Sequence, residues 1–229
     1  MILGKPNIVA QVKWQTIDTV LLDMDGTLLD KHFDDYFWEE YIPEVYAAQN
    51  KISIFTAEEE LLARYKAREG TLDWTDLDFW SNELGLDIIA LKKKVNYLIK
   101  VHPYVLDFID FCRKNDKKVY LVTNAHSKTL EIKMDKTGIA GLFDRIICSE
   151  EIGLPKEETD FWARLGDKID YKKERALLAD DNEKVLQSAL EYGFPRENLI
   201  FVAKSSSTMP VIHAKEFPSI IFFKELMDE

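Results

Sequence analysis

The chain has 229 residues, of which 46% are hydrophobic and 12% aromatic, enough apolar material for a packed core and too much for a disordered polymer. Its 30 Lys and Arg stand against 41 Asp and Glu, a net charge of −11. That balance argues against a binder of nucleic-acid polymers or of anionic membranes, because both need a basic face. Cys112 and Cys148, each flanked by apolar residues, are too few for a disulfide framework or a zinc site and are expected buried and reduced.

In chain order, the N-terminal MILGKPNIVAQVKW has no apolar run long enough for a signal peptide, and no stretch reaches the ~20 apolar residues of a membrane span. A cytoplasmic, soluble protein is expected. Thr19–Leu22 (TVLL) is the first strand-like run, continuously apolar as in a central parallel strand. The segment 31–101 reads helical, with candidate helices at Asp35–Tyr46, Ala57–Glu69, Trp74–Leu84 and Asp87–Ile99, and turn signals at Asn50, Gly70 and Gly85. Its many aromatics are expected to build a core. Arg64, Lys66, Arg68 and Lys92–Lys94 are expected on solvated faces.

From Pro103 onward strand and helix alternate. Pro103–Asn115 is a predicted helix with Pro103 at its first position. Lys118–Val122, Arg145–Cys148, Ala176–Ala179 and Leu199–Ala203 are predicted strands, and Ile220–Phe223 is a sixth strand or a helix start. Ser127–Lys136, Glu157–Asp167 and Glu183–Tyr192 are predicted helices, the last stopped by Gly193. The rhythm predicts an α/β fold, a doubly wound Rossmann-like parallel sheet, with one helical insertion. The expected division is a core of 1–30 and 102–229 with an inserted helical domain of 31–101.

In such sheets ligands bind beyond the carboxyl ends of the strands. Four strand ends carry polar groups here. The first runs into Asp23-Met-Asp-Gly-Thr27, two acids close enough to repel unless a cation or a chemical task keeps them together. They suit a nucleophile with an acid/base partner, metal ligands, or both. The second ends in Thr123-Asn124, the third leads to Pro155-Lys156, and the fourth ends in Asp180-Asp181. Acids, hydroxyl and amide donors and one Lys make a Mg²⁺ and phosphate inventory. Taken singly, DMDG has an ordinary turn as its lesser reading, Asp180-Asp181 could cap the following helix, Lys156 is usually a surface Lys and Ser205–Ser207 reads as a flexible loop. The four histidines mark no metal cluster, and His126 alone follows a site motif closely.

These four motifs, DMDGT at Asp23–Thr27, LVTN at Leu121–Asn124, Lys156 in GLPKE and LLADD at Leu177–Asp181, resemble the haloacid dehalogenase superfamily of phosphotransferases in their order and content. The insertion between the first two is similar to that family's type 1 helical cap. The stretches Trp14–Ala47 and Thr71–Ile88 further resemble the bacterial GMP/IMP nucleotidases of the superfamily, although Asn182 stands where many relatives have Ser. The resemblance implies Asp23 as nucleophile, Asp25 as general acid/base, and Thr123, the Asn124 backbone and Lys156 around the phosphoryl oxygens. It implies Mg²⁺ held by Asp23, the Asp25 carbonyl and Asp181, with Asp180 acting through water or holding Lys156. The substrate it implies is a small phosphomonoester, a purine nucleotide first. A sugar phosphate or phosphoglycolate, a phosphomutase reaction and a catalytically silent binding protein remain alternatives, and oligomeric state is open.

Overall fold

The computed structural model describes residues 10–227. The first nine residues, part of the segment expected to carry no leader, lie outside these. Among the described residues no helix is long and apolar enough to cross a membrane.

Six parallel strands form one sheet: β1 (Thr19–Leu22), β2 (Lys118–Thr123), β3 (Arg145–Cys148), β4 (Ala176–Asp180), β5 (Leu199–Val202) and β6 (Ser219–Ile220), in the order β3-β2-β1-β4-β5-β6. The expected α/β fold is therefore observed. Side chains alternate across a strand, and here both faces are apolar. Val20, Leu22, Leu121 and Ala179 enter one cluster, while Leu21, Val122 and Leu178 enter the other. That is why these strands read as unbroken apolar runs. Leu22 stands level with both Leu121 and Ala179, so the ends of the three central strands open onto one crevice.

Helices cover both faces. The insertion begins with α1 (His32–Tyr36), which passes through a π-helical turn at Phe37–Tyr41 into α2 (Ile42–Asn50); α3 (Ile54–Lys66), α4 (Leu77–Leu84) and α5 (Ile88–Lys94) follow. Then come α6 (Val105–Lys114), α7 (Ser127–Thr137), the short α8 (Ser149–Ile152), α9 (Thr159–Leu165) and α10 (Glu183–Tyr192). The insertion's aromatics pack on one another: Trp80, 1% exposed, meets Tyr65 edge-on at 5.2 Å and donates its Nε1–H to the Trp74 carbonyl at 2.9 Å. They share a cluster with Val20 and Leu22 of the sheet. The chain enters and leaves this segment side by side, with Asp30 N–H on the Lys100 carbonyl at 2.9 Å and His102 N–H on that of Leu28 at 2.9 Å.

Several boundaries differ from expectation for local reasons. Pro103 lies outside α6, because Tyr104 adopts a left-handed φ of 64° and the helix starts after it. α4 starts at Leu77, where the Asp76 carboxylate accepts the N–H groups of Asp78 and Phe79. The run at Ile220–Phe223 is divided: β6 ends at Ile220 and a 3₁₀ turn occupies Phe223–Leu226. Both cysteines are buried and unpaired, and burial pushes Cys112 up to about 12 and Cys148 to about 11.

Candidate active site

The turn after β1 sets the site. Asp23 still pairs with β4, its N–H on the Ala179 carbonyl at 3.0 Å, so its side chain emerges at the carboxyl end of the sheet. Gly26 then turns the chain at φ +82°, and a Cβ placed there would lie 2.1 Å from Asp181 Oδ2. The position therefore requires glycine twice over, for the left-handed backbone and for the approach of the Asp181 carboxylate.

Lys156 joins three strand ends. Its Nζ donates to Asp23 Oδ1 at 2.5 Å, to Asp180 Oδ2 at 2.7 Å and to the Val122 carbonyl at 3.1 Å. That uses all three ammonium protons. The group is 2% exposed, yet it stays charged: burial opposes the charge, but Asp180 and Asp23 raise its affinity for the proton above that of a free lysine. Burial lifts Asp23 to about 6 against the pull of Lys156. Asp181 is raised well above the usual carboxylate range, by burial and then by Asp23 and Asp180. Oxygens of Asp23, Asp180 and Asp181 all lie within 4.8 Å of one another. Three crowded carboxylates with one shared ammonium are a donor set for a hard divalent cation. Asp180 has both oxygens engaged, Oδ2 by Lys156 and Oδ1 by the Asn182 N–H at 2.9 Å. Asp181 accepts no hydrogen bond among the described residues.

The structure brings Asp23, Thr123, Asn124, Lys156, Asp180 and Asp181 to this one crevice, with Asp25 at its edge beside the insertion. Thr123 Oγ1 accepts the Ala125 N–H at 3.0 Å, which leaves its own proton to donate. The Asn124 side chain is held on both sides: its Oδ1 accepts the Lys156 N–H at 2.9 Å and its Nδ2 donates to Glu157 Oε2 at 2.8 Å. Its backbone N–H and the second Nδ2 proton remain for a ligand. The cap of α10 is Asn182, whose Oδ1 accepts the Lys184 N–H, and not either aspartate of the pair before it. Asn182 also donates to Glu157 Oε1 at 3.0 Å. The Ser205–Ser207 segment is not a free loop: the Ser205 carbonyl accepts the Lys31 N–H, and the Ser207 N–H donates to Asp30.

A second charged chain was not legible as part of the site. Lys133 of α7 donates to Asp25 Oδ1 and to Asp34 Oδ2, each at 2.5 Å, and Lys92 of α5 donates to Asp34 Oδ1 at 3.0 Å. Lys92 was expected on a solvated face with Lys93 and Lys94. It is instead 1% exposed, its ammonium 4.6 Å from the centre of the Phe37 ring and 4.8 Å from that of Phe33. Burial works against the charge on Asp34, yet Lys133 and Lys92 hold its carboxyl well below the usual range. Burial raises Asp25 to about 6 despite Lys133.

Between the strand ends and the insertion lies a cavity of about 1110 Å³. Asp25, Asn124 and His126 line it from the sheet side, and Trp38, Tyr65 and Trp80 from the insertion. Of the residues gathered at the strand ends, Asp25 and Asn124 reach this cavity, which faces aromatic side chains of the insertion.

Comparison with known proteins shows the family. The family model for haloacid dehalogenase-like hydrolases matches residues 17–193. GMP/IMP nucleotidase YrfG of Escherichia coli (strain K12) is 37% identical over 182 residues, spanning 80% of this chain and 82% of that protein. Among solved structures, a HAD phosphatase from Thermococcus onnurineus matches with a TM-score of 0.73 at 20% identity, covering 91% of this chain and 95% of that one. The HAD-hydrolase YfnB of Bacillus subtilis, bound to magnesium, matches with a TM-score of 0.58 at 18% identity, covering 91% and 96%.

Proposed function

The chain belongs to the haloacid dehalogenase-like hydrolases, and within that family we propose that it is a Mg²⁺-dependent phosphatase of purine nucleoside 5′-monophosphates, GMP and IMP. The observation that carries the chemistry is Asp23 fixed by Lys156 beside Asp180 and Asp181 at the carboxyl ends of β1 and β4. The leaving group rests on the 37% identity with the nucleotidase.

Asp23 attacks phosphorus through a carboxylate oxygen, forming an acyl phosphate while the phosphorus–ester oxygen bond breaks. Asp25 gives its proton to the departing ribose 5′-oxygen. It then takes a proton from the water that cleaves the aspartyl-phosphate, returning Asp23 and releasing phosphate. Lys156, turning the proton it gives Asp23 in the free site toward the phosphoryl group, joins the Thr123 hydroxyl and the Asn124 backbone N–H in donating to the phosphoryl oxygens. Mg²⁺ fits the donor set of Asp23, Asp181 and the Asp25 carbonyl, and when bound there it offsets the clustered negative charge of acids and phosphate. Asp180 serves this site by holding Lys156. Residues 31–101 act as the cap, closing the cavity over the nucleoside. Its aromatic side chains suit a base, since stacking is worth ~1–3 kcal/mol per base.

Phosphate release across nucleoside monophosphates, sugar phosphates and phosphoglycolate tests the reading. GMP and IMP should give the highest kcat/KM, ahead of AMP and the pyrimidine nucleotides, and EDTA should abolish turnover until Mg²⁺ is returned. A sugar phosphate preferred tenfold over GMP and IMP would replace the proposed substrate, and full activity in chelator would overturn the metal role.

A further inference from the structure

We infer that Lys133 is the residue that positions Asp25, and that Asp34 and Lys92 hold Lys133 in place from the insertion. The inference rests on the proposed acid/base role of Asp25 and assigns how that side chain is aimed.

Lys133 lies on the buried face of α7 with Thr129, Ile132 and Met134, and is itself 1% exposed. An ammonium in such a place is tolerated only with charged partners. Its two are Asp25 Oδ1 and Asp34 Oδ2, each at 2.5 Å, so the two carboxylates lie within about 5 Å of each other. Lys92 takes the remaining Asp34 oxygen at 3.0 Å, and its own ammonium is enclosed by the rings of Phe33, Phe37 and Trp38. The four charges alternate in sign from α5 through α1 and α7 to the turn after β1. They fix one oxygen of Asp25 at the wall. The other accepts no hydrogen bond among the described residues, and Asp25 lines the cavity. One oxygen anchored and one presented is what proton delivery to a single leaving oxygen needs. A buried ion pair by itself adds little stability over an apolar pair, which leaves orientation as what this chain of charges contributes.

The test uses the Mg²⁺-loaded full chain, its preferred alkyl phosphate from the substrate panel, and 4-nitrophenyl phosphate, whose leaving group needs no proton. Lys133→Met should lower kcat on the alkyl phosphate on the order of 10²-fold, the cost of an acid displaced by about 1 Å, with KM little changed. On 4-nitrophenyl phosphate the same variant should keep a rapid burst of nitrophenolate. Asp34→Asn, which keeps Lys133 but removes half its anchorage, should show the same substrate pattern with a smaller loss, and it decides the matter if Lys133→Met does not fold. Equal losses on both substrates with no burst of nitrophenolate, or an unchanged kcat on the alkyl phosphate, would overturn the inference. Asp25→Asn in the same panel separates the two levels. If it shows no dependence on the leaving group, the acid/base reading itself is wrong. If it does and the Lys133 and Asp34 variants do not, only the positioning role fails.

Discussion

Gly26→Ala probes how tightly the turn after β1 and the Asp181 carboxylate are fitted. Two penalties apply, and the structure separates them. At φ +82° an alanine meets the left-handed cost of about 1–2 kcal/mol. Its Cβ would also stand 2.1 Å from Asp181 Oδ2, 2.6 Å from Asp181 Cγ and 3.0 Å from Ser205 Cβ. Reaching an ordinary contact of about 3.5 Å requires the carboxylate to retreat by roughly 1.4 Å. A displacement of that size at a reacting centre costs on the order of 10²-fold in rate. Gly138→Ala is the matched control: φ is +69°, and nothing lies within 4 Å of the added Cβ. Phosphate release with a Mg²⁺ titration, alongside thermal melting, should show both variants losing a few degrees, at roughly 2–4 °C per kcal/mol for a chain of this size. Only Gly26→Ala should lose about 10²-fold in kcat and need more Mg²⁺. A Gly26→Ala enzyme within threefold of the parent, with the same Mg²⁺ requirement, would refute the steric argument.

Two further outcomes follow from the same carboxylates. Asp181→Asn should raise the Mg²⁺ concentration for half-maximal activity far more than Asp180→Asn, because Asp180 has both oxygens engaged by Lys156 and the Asn182 N–H; Asp180→Asn should instead lower kcat by loosening Lys156, and the reverse pattern in a Mg²⁺ titration would exchange their roles. In the metal-free protein Asp23 and Asp25 are raised to about 6, with Asp180 and Asp181 also raised, so the native state binds more protons than the unfolded chain above about pH 4. Stability then falls as pH rises through that window. Asp34, lowered, acts in the opposite sense only below its ordinary value and does not offset this. Added Mg²⁺ should therefore raise Tm more at pH 7.5 than at pH 5, and an equal or inverted effect in calorimetry would contradict the assignment.

The sheet was readable because its strands are buried on both faces, so period and apolarity agreed. β1, β3 and α10 carry the expected bounds, Thr19–Leu22, Arg145–Cys148 and Glu183–Tyr192. Asp23, Thr123, Asn124, Asp180 and Asp181 were legible because they stand at the ends of apolar runs, and Lys156, eight residues past β3, was legible only through its place in the order of the motifs. Lys133 and Lys92 were not. Each sits among other charged residues, in KMDKT and KKK, where a lysine normally faces water. Only their tertiary partner Asp34, far away in sequence, reveals them. Helix starts at Val105 and Leu77 were missed for a different reason: the backbone of Tyr104 and the side chain of Asp76 decide them, and neither alters hydrophobic periodicity.

Glu157 bears on how the chain folds. Its two carboxylate oxygens accept from Asn124, 33 residues upstream, and from Asn182, 25 residues downstream, while Asn124 also holds the Lys156 N–H. The two contacts of Asn124 need the ends of β2 and β3 brought together, and the contact of Asn182 needs β4 as well. Such non-local links return free energy only after the loops between them have closed. On that argument these contacts are expected among the later ones to form. A collapsed state in which β4 had not yet joined the sheet would hold Asp23 without Asp180, leaving the Lys156 ammonium one carboxylate partner where the folded chain gives it two.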